Sequence, residues 1–354
     1  MSRDFKTRIL LVKLSSFGDV IHALPTLEAL RALYPQGHIT WLVEDSFAAL
    51  LAGHPALDEV WPIPRLRFSR QMLGREAAAL AGTARRLRSR PFDVVVDLQG
   101  LLKSAIWVAL ARSPRRIGFD GTREGSYLVL TEKLPRYDPD RHAVLRYLDA
   151  ARYLGAPEAA PRFRLEHLLT GRGNPLGEKP ARPYVVLHPG ARWATKLWPA
   201  TSWARLAEWL AKQDLAVVLT GSLADRPLAA AVAGASQASV IDLAGRTTLS
   251  ELAAVLRGAA LAVTTDTGPM HLAAALGTPV AALFGPTAPW RTGPFGEGHE
   301  TVRLGLDCSP CFRRHCPNPR CLTELPVEMV MAACEKMLLS CRDTPVNIQI
   351  LPGR

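Results

Sequence analysis

LAVTTDTGPMHLAAAL, Leu261 to Leu276, changes its periodicity halfway along. Its first five residues are apolar or β-branched, as a strand covered on both faces requires. Asp-Thr-Gly-Pro then turns the chain, and Met270, His271 and an alanine-rich run resume at helical period. Pro269 suits the first helical turn because the amide hydrogen it lacks would have no partner there, and Gly268 leaves the backbone open to close approach. Unpaired amides and the positive end of the helix dipole then face whatever lies beyond the strand, an arrangement that favours a phosphate or diphosphate. The same residues also suit a plain helix cap, with Asp266 or Thr267 accepting from the first amides.

Strand, turn and helix recur on both sides of this stretch. Upstream, YVVLH (Tyr184 to His188) starts a strand, followed by a helix over Thr201–Lys212, a strand at Leu215–Thr220 and a helix at Ala224–Gly234. A strand at Val240–Leu243 and a helix at Leu249–Gly258 lead into the quoted stretch, and Val280–Phe284 ends the series in GPT. An earlier series opens with RILLVKL (Arg8 to Leu14), turns at SSFGD and resumes at helical period in VIHALPTLEALRALYP. Further strands read at His38–Val43, Val60–Ile63 and Phe92–Leu98, while Phe119–Tyr137 lacks regular pattern and Arg141–Leu154 closes the half as a helix. Two βα series imply an α/β protein of two doubly wound, Rossmann-like domains facing a central cleft. The expected boundaries are 1–170 and 184–354, with a Pro- and Gly-rich linker at 171–183.

A chain of 354 residues exceeds what one core usually serves, in keeping with two domains. No apolar run is long enough to cross a bilayer and no secretory signal precedes the first strand, so a cytoplasmic location is expected. The net charge of +11 calls for an acidic partner: nucleic acid, anionic lipid or phosphorylated substrate. Aromatic residues make up only 7%, with no stacking motif of the RNA-binding kind, which argues against a nucleic-acid module. No G-x-G-x-x-G follows the first strand and no P-loop signature occurs, so neither a nicotinamide dehydrogenase nor a P-loop enzyme is indicated. The Arg-rich stretch between Pro64 and Arg90 either covers the sheet or reaches an acidic ligand.

Polar residues gather where strands hand over to helices. Asp19 opens the first helix at the carboxyl edge of the first strand, as a cap or as a site carboxylate, and Gln99 and Lys103 fall near the same edge. In the second half HPGARWATKLWP, TGSLADR and TTDTGPMH leave strands at one edge of one sheet. They supply a cation (Lys196), a carboxylate (Asp225), hydroxyls and the amides of Thr267 to Met270, a set suited to a nucleotide diphosphate.

Four blocks in order, KLSSFGDVIHALP (13–25), DLQGLLKSA (97–105), HPGARWATKLWP (188–199) and DTGPMHLAAALGTP with FGPT (266–287), resemble glycosyltransferase family 9, the ADP-heptose:lipopolysaccharide heptosyltransferases. The likeness spans nearly the whole chain, and the opening block is most similar to the branch that acts on the Kdo residues of lipid A. It implies a GT-B architecture and a metal-independent inverting transfer of heptose from ADP-heptose to the Kdo/heptose inner core. At matching positions Asp19 becomes the general base, Lys196 a donor-phosphate ligand, and Asp266, Thr267, Gly268 and His271 the donor loop. Asp225 falls where an acidic residue would meet the adenosine ribose. Arg65, Arg67 and Lys103 are candidates for the phosphate or carboxylate of a Kdo–lipid A acceptor, on charge alone. The implied partners are the nucleotide sugar, that acceptor and a weak peripheral contact with the inner membrane, with no nucleic acid. A sibling transferase using another nucleotide sugar, or a nucleotide- or nucleic-acid-binding protein without chemistry, are the alternatives.

No cofactor is expected for catalysis. Cys308, Cys311, Cys316 and Cys321 form C-x₂-C-x₄-C-x₄-C, which in a reducing compartment suits a structural zinc, with His315 as a spare ligand. A redox clip or reduced thiols packing a loop are the other readings. Cys334 and Cys341 sit at helical spacing in a final amphipathic helix.

Overall fold

A computed structural model describes residues 7–65, 74–170, 173–177 and 182–343. The chain divides into two compact units, Met1–Leu168 and Leu169–Arg354, each built on a six-stranded sheet. In the first, β1 (Arg8–Val12), β2 (His38–Glu44), β3 (Glu59–Ile63), β4 (Val94–Asp97), β5 (Arg115–Phe119) and β6 (Glu132–Leu134) lie in the order 3-2-1-4-5-6. In the second, β7 (Tyr184–His188), β8 (Ala216–Leu219), β9 (Val240–Asp242), β10 (Leu261–Thr265), β11 (Val280–Leu283) and β12 (Glu300–Val302) lie in the order 12-11-10-7-8-9. Every pairing is parallel.

The central strands are continuous apolar runs because helices cover both faces of each sheet. All of β4, β7, β10 and β11 is buried, as are the last four residues of β1. Strand order reverses between β1 and β4 in one sheet and between β7 and β10 in the other. Open α/β sheets bind ligands outside the carboxyl ends of their strands at such a reversal. The loops after β1, β4, β7 and β10 carry the SSFGD, QG, HPGARWATK and DTGP turns, so Asp19, Gln99, Lys196 and Asp266 occupy these switch points, while Asp225 follows β8.

Helix Phe17–Leu33 follows β1 and is buried along most of its circumference, including Val20, Ile21, Leu24 and Leu27. Helix Ala143–Tyr153 packs along it. That packing brings residues 128 positions apart in sequence to the end of β1. Helix Gly74–Ser89 answers the question left by the arginine-rich stretch. Arg86 and Arg90 bond Glu59 of β3 at 2.5 and 2.7 Å and stand over the Trp61 ring, so these cations cover the sheet.

Three strands were not anticipated, β5, β6 and β12. β6 and β12 have three residues each, and β6 falls in the Phe119–Tyr137 segment expected to be irregular. Such short edge strands lack a readable alternation and are fixed by the neighbour they pair with, here β5 and β11. No helix among the described residues is long and apolar enough to cross a membrane.

Candidate functional site

At the end of β1, Lys13 is 2% exposed, and the turn Leu14–Ser16 leads into the helix at Phe17. The Gln99 side-chain oxygen, from the loop after β4, accepts from the amides of Leu14 and Ser15, both at 3.0 Å, and so fixes the turn from the neighbouring strand. Asp97 holds that second loop in turn, accepting from the amides of Gln99 and Gly100 and from the hydroxyl of Ser104.

Asp19 caps its own helix and also reaches a second one. Its Oδ2 accepts from the amide (3.1 Å) and hydroxyl (2.8 Å) of Ser16, capping the helix, and its Oδ1 accepts from the Tyr147 hydroxyl at 3.0 Å. Lys13 Nζ donates to Tyr147 at 2.7 Å and to the Leu98 carbonyl at 3.1 Å, and stands 3.8 Å from Asp19 Oδ1. A carboxylate offers about four acceptor positions. Three donors fill all but about one, and the side chain is 36% exposed.

Burial pushes the Asp19 carboxyl up, but Lys13, His22 and the Ser16 hydrogen bonds outweigh it and hold the group well below the usual carboxylate range. Burial lowers the Lys13 ammonium, with Asp19 and Asp97 opposing, and raises the Tyr147 phenol well above its ordinary value. The cluster is therefore an anion steered by a neutral hydroxyl. Tyr147→Phe should lower kcat about ten-fold, the scale of one hydrogen bond to a charged group, with donor affinity unchanged. An unchanged kcat would show that Tyr147 does not position the carboxylate.

Lys103 lies at this edge, but its ammonium bonds the Ser15 hydroxyl and Glu44 at 2.7 Å, with Glu44 buried at 4%. These bonds brace the turn. Arg65 is an exposed residue just beyond β3, and Arg67 lies outside the described residues.

In the second unit the three predicted turns meet. Lys196 Nζ donates to Asp266 Oδ2 at 2.6 Å and to its carbonyl at 3.1 Å, and stands 4.6 Å from the centre of the Trp193 ring. The Thr265 hydroxyl reaches the Gly190 carbonyl at 3.4 Å, and His188 Nδ1 lies 3.1 Å from the Thr220 hydroxyl. Asp225 accepts from the amide and hydroxyl of Ser222 at 2.7 and 2.6 Å, and its carboxyl presses on Gly190: a Cβ there would fall 2.5 Å from Oδ1. Only glycine lets the HPG turn approach this closely.

Helix Gly268–Ala275 begins at Thr267 with no side-chain cap. The hydroxyls of Thr267 and of Thr287, in the FGPT turn, are buried without a hydrogen-bond partner. A buried hydroxyl left unpaired costs about 1–3 kcal/mol, so both are suited to an incoming ligand. His271 is buried, with Nε2 4.0 Å from Asp266 Oδ1. The result is a turn with a lysine, free helix-end amides and two waiting hydroxyls, a cradle for an anion.

Burial pushes His188 down to about 4, with Asp225 opposing. The unfolded chain takes a proton near the ordinary value of about 6.5 and the folded chain does not, so stability falls as pH drops from about 6.5 towards 4. The contribution reaches about 3 kcal/mol at most. Thermal unfolding should show a lower midpoint at about pH 5 than at about pH 7, and His188→Asn should narrow the gap. A gap unchanged by that substitution would remove His188 as its source.

Cys308, Cys311, Cys316 and Cys321 are free thiols around one pocket of about 280 Å³, shared with Thr195, Pro286 and Arg320. Among the described residues no three His, Cys, Asp or Glu side chains are grouped so as to hold a metal ion. Burial raises the Cys321 thiol, and the neighbouring thiols of Cys311, Cys308 and Cys316 add to the shift. Cys334 is fully buried, and burial pushes its thiol up to about 12.

Lys13, Tyr147, Trp193 and Thr287 stand at the candidate site without having been singled out from the sequence. A lysine closing an apolar strand, in RILLVKL, was a readable signal, since a buried ammonium requires partners. Tyr147 carried none, because its role depends on helix packing.

A model of glycosyltransferase family 9 (heptosyltransferase) matches residues 81–322. Lipopolysaccharide heptosyltransferase 1 of Pseudomonas aeruginosa is 35% identical, the match covering 94% of this chain and 98% of that protein. The structure of the Escherichia coli heptosyltransferase WaaC with ADP is similar at TM-score 0.79 and 29% identity, covering 94% of this chain and 100% of that one. The same enzyme with ADP-2-deoxy-2-fluoro heptose matches at TM-score 0.77 and 28% identity, covering 93% and 99%.

Proposed function

The chain belongs to glycosyltransferase family 9, and we propose that it transfers a heptose from ADP-heptose to the Kdo of a lipopolysaccharide inner core, with inversion at the sugar. One observation carries the reading of the chemistry: a single carboxylate, Asp19, is kept ionised at the sheet's switch point with an acceptor position open. In this reading the first unit handles the acceptor and the second holds the donor. An acceptor hydroxyl oxygen attacks the anomeric carbon and its proton passes to Asp19. The bond from that carbon to the β-phosphate oxygen breaks, and the electron pair leaves with ADP.

Because Asp19 is a weak base, it acts late, once the oxocarbenium-like centre has made the attacking hydroxyl acidic. Lys196 and the amides at Gly268 neutralise the departing diphosphate, the task a metal performs in other transferases. Asp225, beside the HPG turn, is positioned in this reading for the ribose, and His271 and Thr267 for the phosphates. Arg65, Arg67 and Lys103 remain candidates for acceptor anions. The net charge of +11 supports a weak peripheral contact with an anionic membrane surface, where such an acceptor resides.

The test is ADP release from purified protein given a panel of nucleotide sugars, with and without Kdo–lipid A. Release that requires both ADP-heptose and the Kdo acceptor is expected. Turnover with a different nucleotide sugar would make the chain a sibling transferase, and binding of nucleic acid with no ADP affinity would overturn the enzyme reading.

A further inference from the structure

The turn HPGARWATK itself supplies Lys196 and an exposed Arg192. A sugar diphosphate brings two negative charges, yet Lys196 is already paired with Asp266 at 2.6 Å, and a helix end supplies only about half a charge. A second cation stands beside it. The Trp193 ring has Lys196 Nζ 4.6 Å from its centre and the Arg314 guanidinium at 5.1 Å, and among the described residues no acidic side chain pairs with Arg314.

Arg314 is not on a strand-edge turn but on the four-cysteine loop, and that loop is pinned to the turns. The Thr195 hydroxyl, one residue before Lys196, donates to the Arg313 carbonyl at 2.9 Å. The amides of Cys311 and Phe312 donate to the Pro286 carbonyl at 3.0 and 2.8 Å, and the Ser309 hydroxyl to the Gly285 carbonyl at 2.6 Å. Gly285 and Pro286 belong to the FGPT turn, which carries the unpartnered Thr287 hydroxyl. The loop therefore holds the backbone at 313–314 in fixed register with both donor turns.

We propose that Arg314 is a donor-binding residue, its guanidinium seated on Trp193 to engage the diphosphate beside Lys196, with the four-cysteine loop as the arm that places it. The inference rests on the reading of the second unit as the ADP-heptose site. Arginine suits the task because its planar fork bonds two phosphate oxygens at once while its face stays stacked on the ring. The loop then has a use in this reading: it delivers a second cation to the ring that Lys196 faces.

Calorimetry with ADP and with adenosine tests this. Arg314→Ala should weaken ADP binding about ten-fold and leave adenosine binding unchanged, and Arg314→Lys should fall between, keeping the charge and losing the fork. Arg313→Ala, an exposed neighbour used only through its carbonyl, should bind ADP as the unaltered protein does. Wild-type ADP affinity in Arg314→Ala alongside a loss in Lys196→Ala would overturn the role of Arg314 and leave the donor site standing. Equal losses for ADP and adenosine would mark the change as structural and also overturn it. Absence of ADP binding to the unaltered protein would instead remove the donor site on which the inference rests.

Discussion

Asp19→Ala should lower kcat for heptose transfer by roughly 10²- to 10⁴-fold, the usual worth of a positioned general base, while the affinity for ADP stays within about two-fold. The asymmetry follows from placement. Asp19 belongs to the first unit, where its contacts are Ser16, Tyr147 and Lys13, whereas Lys196 and Asp266 belong to the second. The alanine variant also deletes a helix cap, a cost of about 0.5–2 kcal/mol in stability. Asp19→Asn separates the two effects, since an amide oxygen still accepts from Ser16 but the group takes no proton from an attacking hydroxyl. It should stay folded and be as inactive as the alanine variant. An active, folded Asp19→Asn protein would reduce Asp19 to a cap.

Lys196→Ala should weaken ADP binding about 10- to 100-fold, the scale of one or two charge-assisted hydrogen bonds, and should also destabilise the second unit. Asp266 is 8% exposed on its side chain and would lose its cation. Breaking such a buried pair from one side costs about 3–5 kcal/mol, because the remaining charge stays desolvated. The double variant Lys196→Met/Asp266→Asn removes both charges, so it should recover stability without recovering ADP affinity. Calorimetry and thermal unfolding on the three proteins check this. Full ADP affinity in a folded Lys196→Ala protein would take Lys196 out of the donor site.

Both sheets were legible because buried parallel strands read as apolar runs ending in Gly, Asp or Pro turns. RILLVKL, FDVVVDL, YVVLH and LAVTT all became central strands. The switch-point position of Asp19, Lys196 and Asp266 followed from where those runs stop. What escaped depends on distant packing. Tyr147 lies on an amphipathic helix whose sequence looks like any other, and it meets Asp19 only because that helix packs along Phe17–Leu33. Lys103 was placed at the acceptor edge on charge alone, and nothing in its neighbourhood announces that Glu44, from the end of β2, pairs with it. The cysteine spacing showed that four thiols cluster, and all four line one pocket.

One carboxylate on the acceptor, with the diphosphate held by separate groups, means a single displacement at the anomeric carbon. The configuration of the new glycosidic bond, read by NMR from the product of ADP-heptose and a Kdo acceptor, tests that most directly. The account predicts a product anomer opposite to that of the donor; a product with the donor's configuration would require a second displacement and would contradict it.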